Sequence, residues 1–302
     1  MTIAYFDDRF VDESEALIPV STHALHYGTA VFEGIRSYGD GVNAAIFRPR
    51  EHYERFLRNA ALIRMQPAYT VDQLIDLTIE LLHKNKNYSS TYIRPLLYKS
   101  STAIGAHIYP GEKLTIYTRE WTPRPIPPPT ATATISRWRR NSHLSVPAGA
   151  KISGLYVNSS IAISESMDRG FDQTIMLTTT GEVAEGYGAN LFAVFGKRVV
   201  TPPESADILA GITRDTLIHY FNSRDDLTMS VESMTPEKLA TADELFLAGT
   251  GLEVIPLVSI DHKPIGNGDL GPITRDAARW YRDLVTGKID GPDGWLVPLS
   301  AS

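Results

Sequence analysis

Five prolines fall within seven residues at Pro123-Arg124-Pro125-Ile126-Pro127-Pro128-Pro129. Proline fixes φ and removes the amide donor, so neither a helix interior nor a central strand can run through such a stretch. What remains is a stiff, extended connector. The run divides the chain. Residues 1–122 are expected to form a small α+β domain, 123–130 an interdomain loop, and 131–302 a larger domain. A chain of 302 residues is long enough for two ordinary domains. At 43% apolar and 21% charged residues, it can build a real core in each.

Composition excludes several function classes. The net charge of −6 argues against nucleic acid or an anionic membrane as the main partner. There is no cysteine, so no disulfide framework and no thiolate metal site can form. That fits a cytoplasmic protein. The N-terminal residues have no basic run followed by an apolar one, so no signal peptide is expected. No apolar stretch approaches the ~20 residues of a membrane-spanning helix.

Periodicity supplies the elements. Tyr53, Phe56, Leu57 and Ala60 recur at helical spacing, predicting a helix over 51–65. Arg55 lies beside that stripe, where its stem can cover the core or its head can meet an anion. A second helix is expected over 70–85, opened by a capping box of Thr70 and Gln73. Residues 91–98 alternate as a strand, with Tyr92 and Arg94 on one face. Pro95 suggests that this strand is an edge or stops there. A strand over 113–118 follows. Past the proline run, strands are expected at 130–138, 173–178, 182–185, 191–195, 198–201 and 244–248. Helices are expected at 159–169, capped by Asn158, at 211–222 and at 272–285. Strands and scattered helices without regular βαβ alternation give an α+β reading in two domains.

Some chemically suggestive residues have plain readings. His23 and His26 lack a third ligand nearby and are read as packing or hydrogen-bonding groups, with no metal expected. Arg137, Arg139 and Arg140 around Trp138 are read as structural. Gly266-Asn267-Gly268-Asp269-Leu270-Gly271 spells a dinucleotide fingerprint. Pro264 interrupts the strand that should precede it and no βαβ unit follows, so it is a turn. Gly211-Ile212-Thr213 opens a helix and could offer amides and a hydroxyl to a phosphate.

Lys151 stands apart, among Ala148, Gly149, Ala150, Ile152 and Leu155. An ammonium in apolar surroundings loses solvation, which favours the neutral, nucleophilic amine. Such amines attack carbonyls, typically those of an aldehyde cofactor. Downstream stands Glu185-Gly186-Tyr187-Gly188-Ala189-Asn190, and near the start Ser21-Thr22-His23-Ala24-Leu25-His26-Tyr27-Gly28 with Phe32-Glu33-Gly34-Ile35-Arg36. Arg48-Pro49-Arg50-Glu51-His52 with Arg55, Tyr92-Ile93-Arg94-Pro95, Gly211-Ile212-Thr213-Arg214 and Gly249-Thr250 complete the set. In this order and spacing, from about residue 20 almost to the end, the chain resembles the class IV pyridoxal-phosphate aminotransferases, most closely the branched-chain amino-acid aminotransferases.

The resemblance implies the two-domain α+β fold of that class, with 131–302 as the large cofactor-binding domain. It implies pyridoxal 5′-phosphate as cofactor, held by Arg55, Lys151, Tyr156, Glu185, Ile212, Thr213 and Thr250. Lys151 would bind the cofactor covalently and then move the substrate Cα proton, while Glu185 would face the pyridine nitrogen. Tyr27, Phe32, Gly34, Tyr92, Arg94, Ala106 and Gly251 would line the substrate side. The implied reaction is transamination between Leu, Ile or Val and 2-oxoglutarate, in a cytoplasmic homodimer or higher homo-oligomer. Departures from the usual pattern at Ala189, Gly251-Leu252 and Ile104-Gly105-Ala106 bear on substrate choice. The alternatives are a relative acting on D-amino acids or (R)-amines, an aminodeoxychorismate-lyase-type enzyme, and a catalytically silent binding protein on the same fold.

Overall fold

A computed structural model describes residues 2–299. By residue contacts the chain separates into two units. The first is Met1–Pro123 with Lys151–Gly154 and Leu284–Ser302, and the second is Arg124–Ala150 with Leu155–Asp283.

The first unit is built on an antiparallel sheet. Its strands are β1 (Ile3–Phe6), β2 (Arg9–Asp12), β3 (Ala30–Phe32), β4 (Ile35–Asp40), β5 (Ala44–Phe47), β6 (Ser89–Lys99), β7 (Glu112–Glu120) and a C-terminal strand, Leu296–Pro298. The spatial order is C-terminal strand, β5, β4, β6, β7, β1, β2, with β3 also paired to β6. The C-terminal residues cluster with this unit because Leu296, Val297 and Pro298 pair with β5. A division at the proline run alone would leave them with the other one.

Helices α1 (His23–Tyr27), α2 (Pro49–Leu62) and α3 (Val71–Lys84) complete the unit. Helix α2 begins with Pro49 at its first position, where a missing amide costs nothing. It buries Tyr53, Phe56 and Ala60, the stripe read from sequence. The capping box at Thr70 and Gln73 is present, with reciprocal bonds of 3.2 and 2.8 Å. Tyr53 of α2 bonds the Thr78 hydroxyl of α3.

Pro95 corrects one expectation. It lies inside β6, a central strand with neighbours on both sides. On one side those neighbours change from β4, reaching Ile35 opposite Ile93, to β3, starting at Phe32 opposite Leu96. The Pro95 carbonyl accepts from Glu33 N at this break. In an antiparallel strand a residue's amide and carbonyl point the same way, so the donor Pro95 lacks falls where the ladder is already interrupted.

The second unit carries β8 (Ala131–Arg139), β9 (Gln173–Leu177), β10 (Val183–Gly186), β11 (Asn190–Phe195), β12 (Arg198–Thr201), β13 (Thr228–Val231), β14 (Glu244–Gly249), β15 (Glu253–Ile260) and β16 (Lys263–Pro264). The order is β10-β9-β8-β15-β14-β11-β12-β13, with β16 on β15. The β8–β9, β8–β15 and β12–β13 pairs are parallel and the others antiparallel. Its helices are α4 (Tyr156–Asp168), α5 (Ile212–Asn222), α6 (Pro236–Leu239) and α7 (Pro272–Val285). One core cluster gathers Leu191, Leu245, Leu247 and Ile255 on the sheet. Phe192 and Phe246 stack at 4.9 Å, and Phe221 of α5 lies against both.

Helix α4 starts three residues before the expected Ser159. Asn158 therefore lies inside its first turn and does not cap it, and its Nδ2 donates to the Arg139 carbonyl. The glycine-rich stretch after Pro264 is a turn into α7, whose first amides, at Ile273 and Thr274, donate to Glu244. Arg137 and Trp138 both bond Glu165, which accounts for that basic stretch structurally. Among the described residues, no helix is long and apolar enough to cross a membrane.

Candidate active site

Within the first unit, Lys151–Gly154 lies along β3. Phe32 N donates to the Lys151 carbonyl at 3.1 Å, and Val31 and Ile152 form an antiparallel bridge. This seats Lys151 Nζ 4.8 Å from the centre of the Phe32 ring. The Arg94 guanidinium also lies over Phe32, at 4.6 Å. Arg94 Nε and Nη2 donate to Tyr92 Oη at 3.2 and 2.6 Å. Gly34 makes room for that pair, since a Cβ on it would stand 2.4 Å from Tyr92 Oη. Five of the expected site residues, Phe32, Gly34, Tyr92, Arg94 and Lys151, are therefore neighbours. The two-residue period of β6 put Tyr92 and Arg94 on one face, as read from sequence.

Beside them sits a buried ionic group. Glu33 Oε1 and Oε2 accept from Arg55 Nε and Nη2 at 2.7 and 2.8 Å, and His52 Nδ1 is 2.9 Å from Oε2. Burial alone would raise the Glu33 carboxyl, but Arg55 and His52 together hold it well below the usual carboxylate range. Burial lowers His52 despite the pull of Glu33, with Arg55 and Lys151 adding to the depression. Arg55 thus faces inward toward an anion and is not a cover for the core. The motif Phe32-Glu33-Gly34 could have announced this, because a carboxylate flanked by buried apolar segments is almost never fully buried unless paired.

Tyr27 and Ala106 form a separate, exposed group. Tyr27 Oη accepts from Gly105 N at 3.0 Å, its ring lies 4.5 Å from that of His23, and Ile104 is 93% exposed. His23 bonds the Thr29 hydroxyl and the Gly105 carbonyl, and His26 bonds the Val20 carbonyl.

Within the second unit, Glu185 is buried on β10 and surrounded by donors. Asn190 Nδ2 donates to its Oε2 at 2.9 Å, Leu209 N lies 3.3 Å from both oxygens, and Arg140 Nη2 is 3.0 Å from Oε1. Three donors thus converge on this carboxylate. Asn190 also reaches the Leu209 carbonyl at 2.8 Å. Its Oδ1 lies only 2.0 Å from where a Cβ on Gly211 would be, so a side chain there would push the Asn190 amide off its partners. Gly211 caps α5 with no side chain of its own, leaving Ile212 and Thr213 to open the helix. The Gly249–Gly251 turn packs against the loop after Glu185, where a Cβ on Gly249 would meet Ala189 at 3.2 Å. Tyr156 opens α4 and is half-buried. Sequence reasoning gave no role to Arg140 or Asn190. Asn190 stands within the quoted motif, whereas the pairing of Arg140 with Glu185 has no local signal.

The family model for class IV aminotransferases matches residues 30–260. This chain belongs to the class IV aminotransferase family. As a member it is an aminotransferase, with pyridoxal 5′-phosphate as its cofactor. The aminotransferase is 37% identical to a probable branched-chain-amino-acid aminotransferase of Aquifex aeolicus, over 99% of this chain and 97% of that one. Its fold superposes on branched-chain aminotransferase from the archaeon Thermoproteus uzoniensis with norvaline at a TM-score of 0.93, with 36% identity and 99% of both chains covered. The branched-chain amino acid aminotransferase of Thermobaculum terrenum, in its PLP form, matches with a TM-score of 0.92, 32% identity and 99% of both chains.

Proposed function

We propose that this aminotransferase moves the amino group of L-leucine, L-isoleucine or L-valine to 2-oxoglutarate, and the reverse. The observation that carries this reading is the Arg94 guanidinium lying over Phe32 and bonded to Tyr92, beside the Lys151 amine. The two substrates demand opposite surroundings, an aliphatic side chain and a γ-carboxylate. Phe32 and Tyr92 offer apolar surface, where each buried methylene is worth about 0.8 kcal/mol. Arg94 offers a carboxylate a charged fork on the same side.

The donor set fits pyridoxal phosphate. Glu185, its carboxylate oriented by Asn190, Leu209 N and Arg140, suits a protonated ring nitrogen. The α5 start, capped by a glycine, suits a phosphate through Ile212 and Thr213, and Thr250 and Arg55 would be its further donors. Tyr156 would bond the ring hydroxyl and Lys151 would hold the aldehyde carbon. The bound cofactor supplies a sink for the electrons left on the substrate Cα when its proton departs. The chain's own part is then clear. Lys151 would accept the Cα proton. Glu185 keeps a proton on the ring nitrogen. Phe32, Gly34, Tyr92 and Arg94, with Tyr27, Ala106 and Gly251, orient the substrate so that its Cα–H meets the amine.

We also read it as a cytoplasmic homodimer. Leu17, Val20, Leu25, Tyr27 and Ile104 are exposed apolar residues of the first unit, the kind of surface a second copy would cover. Light scattering that gives a fully active monomer would refute the dimer.

The test of function is kcat/KM for L-leucine, D-alanine and (R)-1-phenylethylamine with 2-oxoglutarate, alongside Lys151→Ala. Leucine should lead by far. Lys151→Ala should lose activity by several powers of ten and form no borohydride-reducible adduct. A preference for either other donor overturns the substrate reading, and an active Lys151→Ala overturns the site.

A further inference from the structure

Lys151–Gly154 occupies the edge of β3 that β6 leaves open. Its attachment has two ends. At one, Phe32 N donates to the Lys151 carbonyl, and at the other, Gly154 N donates to the Gly28 carbonyl, both at 3.1 Å. The Val31–Ile152 bridge lies between, with both side chains buried. At the Gly28 end the two backbones touch. A Cβ on Gly28 would stand 2.5 Å from Gly154 Cα and 2.9 Å from Gly154 N. Those are main-chain atoms, with no side chain to swing aside. Gly28 is also left-handed, with φ +64, as the C-cap of α1. The converse contact is looser. A Cβ on Gly154 would lie 3.3 Å from Gly28 Cα and O, tight but open to a small adjustment.

We propose that Gly28 is a positioning residue for Lys151. By letting Gly154 approach in backbone contact, it closes the far end of a short segment whose near end is Lys151 itself. The backbone from which the amine reaches toward Phe32 is thereby held by main-chain hydrogen bonds to Phe32 and Gly28. Gly154 stands three positions after the lysine, in a 3-10 turn over Ser153–Leu155, so a shift at Gly154 reaches Lys151 Cα through only Ser153 and Ile152. A displacement of about 1 Å at a reacting group costs up to a hundredfold in rate. The proposal rests on Lys151 being the residue that accepts the Cα proton.

Geometry predicts an asymmetry that a general loss of stability would not give. In the holoenzyme, Gly28→Ala should lower kcat by roughly ten- to a hundredfold with KM for leucine within about threefold, because orientation is lost and not binding. Gly154→Ala should lower kcat far less. Gly41→Ala is the control for backbone strain, since Gly41 also has positive φ, +98, but open space around its Cβ position, and it should behave as wild type. The independent readout is amide hydrogen exchange. In the wild type, Phe32 and Gly154 amides should be protected like those of β6, and Gly28→Ala should release both. Wild-type exchange at these amides as fast as in an exposed loop overturns the proposal without any variant. So does equal loss of kcat in Gly28→Ala and Gly154→Ala, or a Gly28→Ala enzyme with wild-type kcat. In each case a dead Lys151→Ala shows that the lysine assignment itself still stands, and an active one sinks that assignment instead.

Discussion

The Glu33 carboxylate takes two nitrogens of Arg55 in a side-on fork, with both groups buried in the first unit. This fixes the plane of the guanidinium before any ligand arrives. It also makes the site sensitive to a residue with no part in the chemistry. Glu33→Gln keeps the shape but leaves Arg55 buried beside a neutral amide. Losing one partner of a buried pair costs about 3–5 kcal/mol. Chemical denaturation should show a loss of that order, and titration of the apoenzyme should show weaker uptake of pyridoxal phosphate. Unchanged stability would mean that water reaches Arg55.

The same group sets an acid limit. The ordinary histidine value is 6.5 and folding lowers His52 below it. Below pH 6.5 the unfolded chain therefore takes up a proton that folded His52 refuses, and stability falls with pH. Folding also lowers Glu33 from its ordinary 4.5, so a second loss begins as pH drops past that value. Melting temperature should be level above pH 7, decline below 6.5 and fall again below 4.5. His52→Asn, which retains a donor near Glu33, should flatten the first decline. If it does not, another group titrates there.

Arg94→Leu separates the two substrates. A hydrogen bond to a charged group is worth about 1.5–3 kcal/mol, so kcat/KM for glutamate and 2-oxoglutarate should drop roughly ten- to a hundredfold more than for leucine. Equal losses would show that Arg94 only supports Tyr92, to which it is bonded.

Glu185→Gln tests the other unit. The amide cannot hold a proton on a ring nitrogen, so cofactor should bind while turnover falls steeply. Its Nε2 would also oppose the donors Asn190, Leu209 N and Arg140 that now converge on the carboxylate. Wild-type turnover would mean that the ring nitrogen has a different partner.

Local features of this chain were legible in its residues, and distant pairings were not. The stripe of Tyr53, Phe56 and Ala60, the Thr70–Gln73 box and the alternation of Tyr92 and Arg94 each act within a turn or a strand. Pro95 misled because its effect depends on which strand stands opposite, and the change from β4 to β3 is a property of the sheet. Asn158 misled because Tyr156 and Val157 enter the helix first, and a good capping residue caps only where the helix begins. Lys151 and Glu185 were singled out through the motifs around them. Arg140, 45 positions before Glu185, was passed over because nothing near it in sequence announces a buried carboxylate.

The helix that carries His52 and Arg55 begins at Arg48, whose amide donates to the Trp295 carbonyl at 2.6 Å and whose guanidinium lies 4.2 Å over the Trp295 ring. Trp295 leads into the C-terminal strand on β5. The order of synthesis then matters. A nascent chain can complete the sheet of the second unit once Pro264 has emerged, yet β5 still lacks its neighbour and α2 still lacks its anchor. The first unit needs residues from both sides of the second, so a ribosome that stalls before Trp295 leaves the helix of Arg55 without that anchor.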